Sequence, residues 1–305
     1  MANYLDLTVE TACEALRGAG QAYPPEEIRV VARDERWVVL LPGNRIAWFP
    51  ASESGSRRLA VERRVLRLLA DRCSFHAPRP LLVSDCGLDL RQMIPGRCDP
   101  WDLFQRCKVN STLAQKIGRS VGAILAEQHT RIREADVFGW LPQRIVWPES
   151  GHWIRERLPQ VVDDSDLIRK AGRLFDRYDA LTVDTKDHVL VHGDVGLHNI
   201  ALDEQTDAVN GIFDYDSAAW ADRHHDFRYL LFDIRRDDML NAALEVYEPA
   251  VGRAIDRDRL RLYNAACALC YLALRRGVPP NRKSCGRTLA EDVRWASAAL
   301  SSLRV

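Results

Sequence analysis

Between His188 and Asp216 the chain carries an unusual density of groups able to do chemistry. It reads His188-Val-Leu-Val-His192-Gly-Asp194-Val-Gly-Leu-His198-Asn199-Ile-Ala-Leu202, a polar turn over 203–210, then Gly211-Ile-Phe-Asp214-Tyr-Asp216. Residues 189–191 predict a strand that delivers Asp194 into a loop, and 200–202 with 212–213 predict the arms of a hairpin. If those arms pair around the polar turn, Asn199 falls opposite Asp214. Opposed residues of an antiparallel ladder hold their Cβ atoms ~4.5–5.5 Å apart. An amide oxygen beside a carboxylate oxygen suits Mg²⁺, which keeps several waters and takes substrate phosphates as its other ligands. Asp194 suits a separate role, accepting a hydroxyl proton or holding that hydroxyl in line with a phosphorus atom. These are the parts that phosphoryl transfer requires. A satisfied polar loop beside a hairpin would use the same residue types for local turn reasons, but spacing and strand context favour chemistry.

The elements that must position this stretch follow from periodicity. Short apolar runs at 28–32, 37–41 and 45–49 predict strands, with Pro42-Gly43-Asn44 a turn between the last two. Leu59–Leu69 has the pattern of an amphipathic helix. Pro78 and Pro80 punctuate the chain, 81–83 and 88–94 predict two more strands, and Pro95-Gly96 breaks it. Beyond that point the period is helical over Ser111–Thr130, with Ser111 as N-cap, and again over 165–180 and 239–303. The layout is a small β-rich front unit and a larger helical unit with one β insertion. Sites commonly form where such units meet.

The pattern H-G-D-x-x-x-x-N, followed by an apolar strand and D-x-D, resembles the aminoglycoside phosphotransferase and choline kinase family, relatives of the protein kinases. The resemblance extends over about residues 25–275. Leu59 with Glu62 and Val65-Leu66-Arg67-Leu68-Leu69 is similar to the family's front-lobe helix. Pro78-Arg79-Pro80-Leu81, the 88–94 strand and Ile94-Pro95-Gly96 are similar to its hinge. Gln128-His129 is similar to the end of its first large-lobe helix. The resemblance implies an α+β, two-lobed protein-kinase-like fold. Residues 1–97 would form a nucleotide-binding lobe, a small antiparallel sheet with one helix. Residues 98–305 would form a larger, mainly helical catalytic and acceptor-binding lobe. By the same resemblance Asp194 is the catalytic aspartate, and His192 orients its loop. Asn199 and Asp214 are Mg²⁺ ligands, with Asp216 a second acidic position. Glu62 belongs to the nucleotide site, Gln92 and Ile94 offer hinge backbone to the adenine, and Asp226 braces the catalytic loop. The implied reaction moves the γ-phosphoryl group of ATP or GTP to a hydroxyl of a small molecule, with an aminoglycoside-type antibiotic the best single acceptor.

One position departs from that pattern. The family places a Lys or Arg on its third front-lobe strand, where this chain has Trp48. An indole offers one N–H donor and no charge. Arg45 is three residues away, so in a regular strand it faces the other side. Arg33, Arg36, Arg57 and Arg58 are the candidate substitutes. Trp48 itself reads as a core aromatic or as a stacking surface for the base. The loop at Arg33–Trp37 is also glycine-free, and together with Trp48 it motivates a second reading, a kinase-like binding or regulatory protein with weak catalysis or none.

Composition excludes other classes. The chain has 305 residues, 47% of them apolar, enough for a proper core. It has no run of ~18 apolar residues, so no membrane-spanning helix is expected. The start of the chain lacks a basic and apolar leader pattern, so a cytoplasmic protein is expected. Lys and Arg number 43 against 43 Asp and Glu, which argues against nucleic acid as a partner, since that requires a basic footprint. The acidic excess is concentrated in residues 159–240, with 18 acidic against 9 basic groups, mild support for a cationic acceptor. Cys267 and Cys270 form a lone C-x-x-C in an apolar run and are expected to be buried helix cysteines. Tyr263, Cys267 and Tyr271 share a helical spacing and are expected in the core. His224-His225-Asp226 is not expected to converge on one metal ion, because adjacent side chains diverge in helices and strands alike.

Overall fold

Gly43 and Asn44 sit at φ 72° and 56°, the left-handed conformations that close a short hairpin loop. That loop joins two central strands of the front sheet. The computed structural model describes residues 6–33, 35–85, 87–232, 237–284 and 286–303. Cys86 and Cys285 lie outside them. In chain order the front elements are α1 (Val9–Gly18), β1 (Arg29–Arg33), β2 (Arg36–Leu41), β3 (Arg45–Pro50), α2 (Glu53–Arg72), β4 (Arg79–Val83) and β5 (Asp89–Gln92). The strands form one antiparallel sheet ordered β1-β2-β3-β5-β4.

Strand parity gives the sheet two different faces. Val39, Leu41, Ala47, Phe49 and Leu90 share one face and pack with Leu7, Ala12, Cys13 and Leu16 of the α1 region. Arg36, Val38, Ile46, Trp48, Asp89 and Arg91 share the other by register. Arg45 lies on the α1 side, as its spacing from Trp48 requires, and donates to the Tyr23 hydroxyl at 3.1 Å. The front lobe holds two helices where the sequence predicts one. Helix α1 begins at a reciprocal cap between Thr8 and Thr11.

Helix α2 is capped by Ser52, whose hydroxyl accepts from Gly55 N at 2.9 Å. Its Val65, Leu66 and Leu69 bury against Leu190, Tyr215 and Trp220, so the front helix rests directly on the β insertion.

The rest of the chain comprises α3 (Pro100–Val109), α4 (Ser111–Arg131), α5 (Glu134–Val137), α6 (Gly151–Arg157), α7 (Ser165–Asp179), β6 (His188–Val191), β7 (Ile200–Leu202), β8 (Val209–Ile212), β9 (Ala219–Asp222), α8 (Arg228–Phe232), α9 (Asp237–Val251), α10 (Arg257–Ala273) and α11 (Leu289–Ser301). Helices α3 and α6 and strand β9, which pairs with β6, are additions to the layout read from the sequence. Helix α4 packs on α9 closely enough that a Cβ added at Gly118 or Gly122 would lie 2.2 Å from the Met239 or Ala243 carbonyl oxygen. Helices α7, α10 and α11 enclose a second core, which buries Cys267 and Cys270 as expected. No helix among the described residues is long and apolar enough to cross a membrane.

Two backbone bridges join front and rear. Arg97 and Leu202 exchange N–H···O bonds of 2.9 Å each, and His76 pairs with Gly211. A side chain at Gly211 would place its Cβ 2.1 Å from the His76 carbonyl oxygen, so that bridge requires glycine.

Candidate active site

Strand β6 runs through the core with Leu190 and Val191 fully buried, and ends where the loop 192–199 begins. Asp226 fixes the start of that loop. Its carboxylate, fully buried, accepts from His192 N at 2.9 Å and Gly193 N at 2.7 Å, and lies 3.0 Å from His129 Nε2. Gly193 sits at φ 84°, and a Cβ there would lie 2.6 Å from the Ser217 carbonyl oxygen, so the turn admits only glycine. The expected brace is therefore in place. So is Gln128, whose amide donates to the Leu190 carbonyl at 2.8 Å and accepts from the Tyr215 hydroxyl at 2.9 Å.

His192 is buried and does not face the cleft. Its Nδ1 accepts from Asp194 N at 3.2 Å and its Nε2 lies 3.0 Å from the Phe213 carbonyl oxygen. Those partners assign the proton to Nε2. The ring ties the Asp194 loop to the strand before Asp214.

Asp194 is partly exposed. Its Oδ2 lies 3.1 Å from His198 Nε2 and 3.1 Å from Asn199 Nδ2. Burial pushes the Asp194 carboxyl up, but the hydrogen bond and charge of His198 outweigh it, and the group sits below the ordinary aspartate value. It is ionised at neutral pH. His198 has no role in the expected pattern; its place in the loop, four residues after Asp194, was the available signal.

The expected hairpin forms, but one residue out of register. Ile200 pairs with Ile212, and Phe213 N donates to the Asn199 carbonyl at 3.0 Å, so Asn199 opposes Phe213 rather than Asp214. The cause is local. Asp214 leaves the strand in the left-handed conformation, φ 69° and ψ 61°, and the ladder shifts between Ala201 and Leu202. A non-glycine residue with that backbone marks stored strain. The Asp214 side chain is exposed at this turn. Its carboxyl is raised, first by desolvation from the surrounding protein, then because Asp216 and Asp194 repel its charge. The buried Asn199 donates both bonds from its amide nitrogen, to the Asp194 carbonyl at 2.9 Å and to Oδ2, which leaves its oxygen as an acceptor. The donor set is hard oxygen in a corner with surplus negative charge, and it fits a magnesium ion.

The position of Trp48 resolves differently from either expectation. It is half-buried on the α2 side of the sheet, with the Arg36 guanidinium 4.8 Å above its ring centre and Arg91 at 5.8 Å. Glu62, buried on α2, forms an ion pair with Arg91 at 2.8 Å and lies 3.8 Å from Arg36. Arg91, on the neighbouring strand β5, also donates to Asp89 at 2.9 Å. Burial pushes the Glu62 carboxyl up, and it remains raised although Arg91 opposes the shift, in part because Asp214 is near. Of the candidate arginines, Arg33 is exposed and Arg57 pairs with the exposed Glu53. Arg36 and Arg58 both meet Asp216. Arg91 was missed because its partner lies 29 residues away and only the strand order brings them together.

At the hinge, the Gln92 side chain donates to the carbonyls of Gly43 at 3.0 Å and Asn44 at 2.8 Å, which anchors the segment whose backbone was expected to meet the adenine. Ile94 is buried, and its carbonyl accepts from the Asn44 side chain at 3.1 Å. His224, His225 and Asp226 diverge as expected. His224 joins Asp187 and Asp222 in a tight buried group, but Arg223, Arg253 and Arg259 already pair with those aspartates. That group is an ion-pair network. Tyr263 stacks on His225 at 4.1 Å and donates to Asp222 at 2.7 Å, a core role.

Three buried imidazoles carry a pH dependence. Burial holds His129, His192 and His225 below the ordinary histidine value, His225 down to about 3. They stay neutral in the folded chain and take up protons on unfolding. Their contribution is fully present above the unfolded value near ~6.5 and is lost as pH falls toward the folded value. His225, the ring held lowest, releases one proton's worth, about 1.4 kcal/mol per pH unit below the unfolded value, and His129 and His192 act in the same direction. The urea midpoint is expected to hold steady from pH 8 to 7 and drop steeply below about pH 6; a flat profile down to pH 5 would show that the rings are charged when folded.

A family profile described as phosphotransferase enzyme family matches residues 26–263. Streptomycin 3''-kinase of Streptomyces griseus is 36% identical over 101 residues, a match spanning 32% of this chain and 36% of that kinase. Among solved structures, the GDP complex of wild-type aminoglycoside 2'-phosphotransferase-IIIa superposes with a TM-score of 0.67 at 16% identity, covering 90% of this chain and 92% of that one. A macrolide 2'-phosphotransferase from Brachybacterium faecium superposes with a TM-score of 0.64 at 17% identity, covering 97% and 99%. The two-lobed kinase-like fold is common to these structures and this chain.

Proposed function

The chain belongs to the phosphotransferase enzyme family, and from that premise we propose that it transfers the γ-phosphoryl group of ATP or GTP to a hydroxyl of an amino-sugar antibiotic. The observation that carries this reading is the ionised Asp194 beside the Asn199 amide, with the Asp214 carboxylate in the same cluster of charge. Asp194 receives or aligns the acceptor hydroxyl. Asn199 and Asp214 would hold Mg²⁺, which when bound neutralises phosphate charge. His192 and Asp226 fix the loop, and neither touches substrate. Glu62 holds Arg91 at the sheet. Ile94 lies on the hinge segment where the base would dock, beside the Gln92 backbone. We take 1–97 and 98–305 as the nucleotide and acceptor lobes.

Support for the acceptor class comes from the acidic excess of residues 159–240 and from the partial match to a streptomycin kinase. The reading as an inactive binding protein rests on Trp48 and on the glycine-free loop at Arg33–Trp37, and the intact set of Asp194, Asn199 and Asp214 argues against it.

The test is a coupled nucleotide-turnover assay against a panel of aminoglycosides, macrolides and amino alcohols. Turnover with amino alcohols alone would overturn the acceptor assignment. Millimolar Mg-ATP or Mg-GTP is expected to raise the melting temperature, since a ligand bound only by the folded state at ~100 times its Kd adds about 2.7 kcal/mol. Asp214→Ala is expected to abolish the magnesium dependence of that shift. A magnesium-dependent shift kept in the variant would place the metal elsewhere.

A further inference from the structure

We propose that Arg36 is the cation that grips the nucleotide phosphates, and that Asp216 holds it in place until they arrive. This rests on the phosphotransferase reading and assigns a residue to it. A triphosphate in the cleft needs a positive partner close to Asp214. Among the described residues, Arg91 stands between Glu62 and Asp89, both buried, and is committed to them. Arg45 faces α1. Arg36 differs. It reaches from β2 across the Trp48 ring to the segment just after Asp214, and donates both terminal nitrogens to Asp216 at 3.1 Å. Its charge is felt at Asp214. It is only 6% exposed, yet its Nε has no hydrogen-bond partner among the described residues.

A guanidinium offers five N–H donors in a planar fork that matches carboxylate and phosphate oxygens alike. The carboxylate of Asp216 therefore occupies the geometry a phosphate would take. Arg58 meets the same carboxylate from α2, so two cations converge on one acid. When phosphate oxygens bind Arg36, Asp216 keeps Arg58 as its partner, and no buried carboxylate is left unpaired. The indole at position 48 then has a function that a lysine there would prevent: a flat apolar shelf that keeps the Arg36 fork in its plane.

The test is a binding cycle with the full chain, by calorimetry, using whichever of Mg-ATP and Mg-GTP binds the wild type, and the matching nucleoside. Arg36→Ala is expected to weaken the triphosphate about 10–100-fold and leave the nucleoside unchanged. Asp216→Asn is expected to tighten the triphosphate about tenfold, because a competing anion is gone. The double variant Arg36→Ala with Asp216→Asn removes both partners, keeps the fold even if the single arginine variant loses it, and is expected to bind like Arg36→Ala. Arg57→Ala removes an equal charge from the same lobe and is expected to change nothing. A folded double variant that binds the triphosphate like wild type would overturn the assignment. So would an Asp216→Asn variant that binds more weakly, or one whose gain persists without Arg36. A wild type that binds neither nucleotide would instead overturn the phosphotransferase reading itself.

Discussion

Asp194→Ala is expected to lower turnover by about 10²–10⁴-fold while leaving the chain folded. The rate loss follows from position and charge. Asp194 is the ionised carboxylate of the 192–199 loop, partly exposed, with one oxygen fixed by His198 and Asn199. A group of that kind can accept a proton from a bound hydroxyl and hold its oxygen in line. The fold survives because the carboxylate is not a structural partner of buried backbone; the loop hangs from Asp226 and His192 instead. Removing a negative charge beside Asp214 also relieves repulsion there. Kinetics at saturating nucleotide and acceptor, set beside a urea titration of the same variant, check both halves. Retained turnover in a folded variant would mean that another carboxylate meets the hydroxyl.

Asp226→Ala has the opposite profile: a loss of about 3–5 kcal/mol of stability, with the rate falling only as a consequence. Its carboxylate is buried and satisfies two backbone N–H groups and the His129 ring. Deleting it strands those donors in a dry interior, where each unmet polar group costs about 1–3 kcal/mol. Asp226→Asn restores an acceptor and is expected to recover part of the loss. The measurement is the urea midpoint of the two variants. A midpoint like wild type for Asp226→Ala would show that the loop is held by something else. The pair of variants separates two acids on one stretch of chain: the proposed catalytic group Asp194, and Asp226, which holds the loop that carries it.

The form of the 192–199 loop was legible in the sequence because its residues are local. His192, Asp194 and Asn199 lie within eight residues of one another, and strand β6 leads into them without ambiguity. Asp214 was legible as a neighbour of Asp194 but not in register, since nothing in Phe213-Asp214-Tyr215 announces a left-handed aspartate. Helix α1 was missed because its cap pairs Thr8 with Thr11 rather than with a glutamate. Helix α3 had a readable start, Asp99 followed by Pro100 at the first helical position. The Arg91–Glu62 pair was out of reach for a different reason. It depends on β5 lying beside β3, which is a property of the whole sheet. Trp48 looked like a missing charge, and only the fold shows the arginines gathered around it.

The bridges from Arg97 to Leu202 and from His76 to Gly211 attach the β7–β8 hairpin to the front of the molecule. Asn199 and Asp214 stand at that hairpin's open end, whereas Asp194 hangs from β6 and Asp226. The same hairpin is also held to the loop behind it, because Asn199 donates to the Asp194 carbonyl and carboxylate and the His192 ring meets the Phe213 carbonyl. Front sheet, hairpin and loop are thereby fastened in series, and the front of the molecule cannot part from Asp194 without one of these bonds giving way.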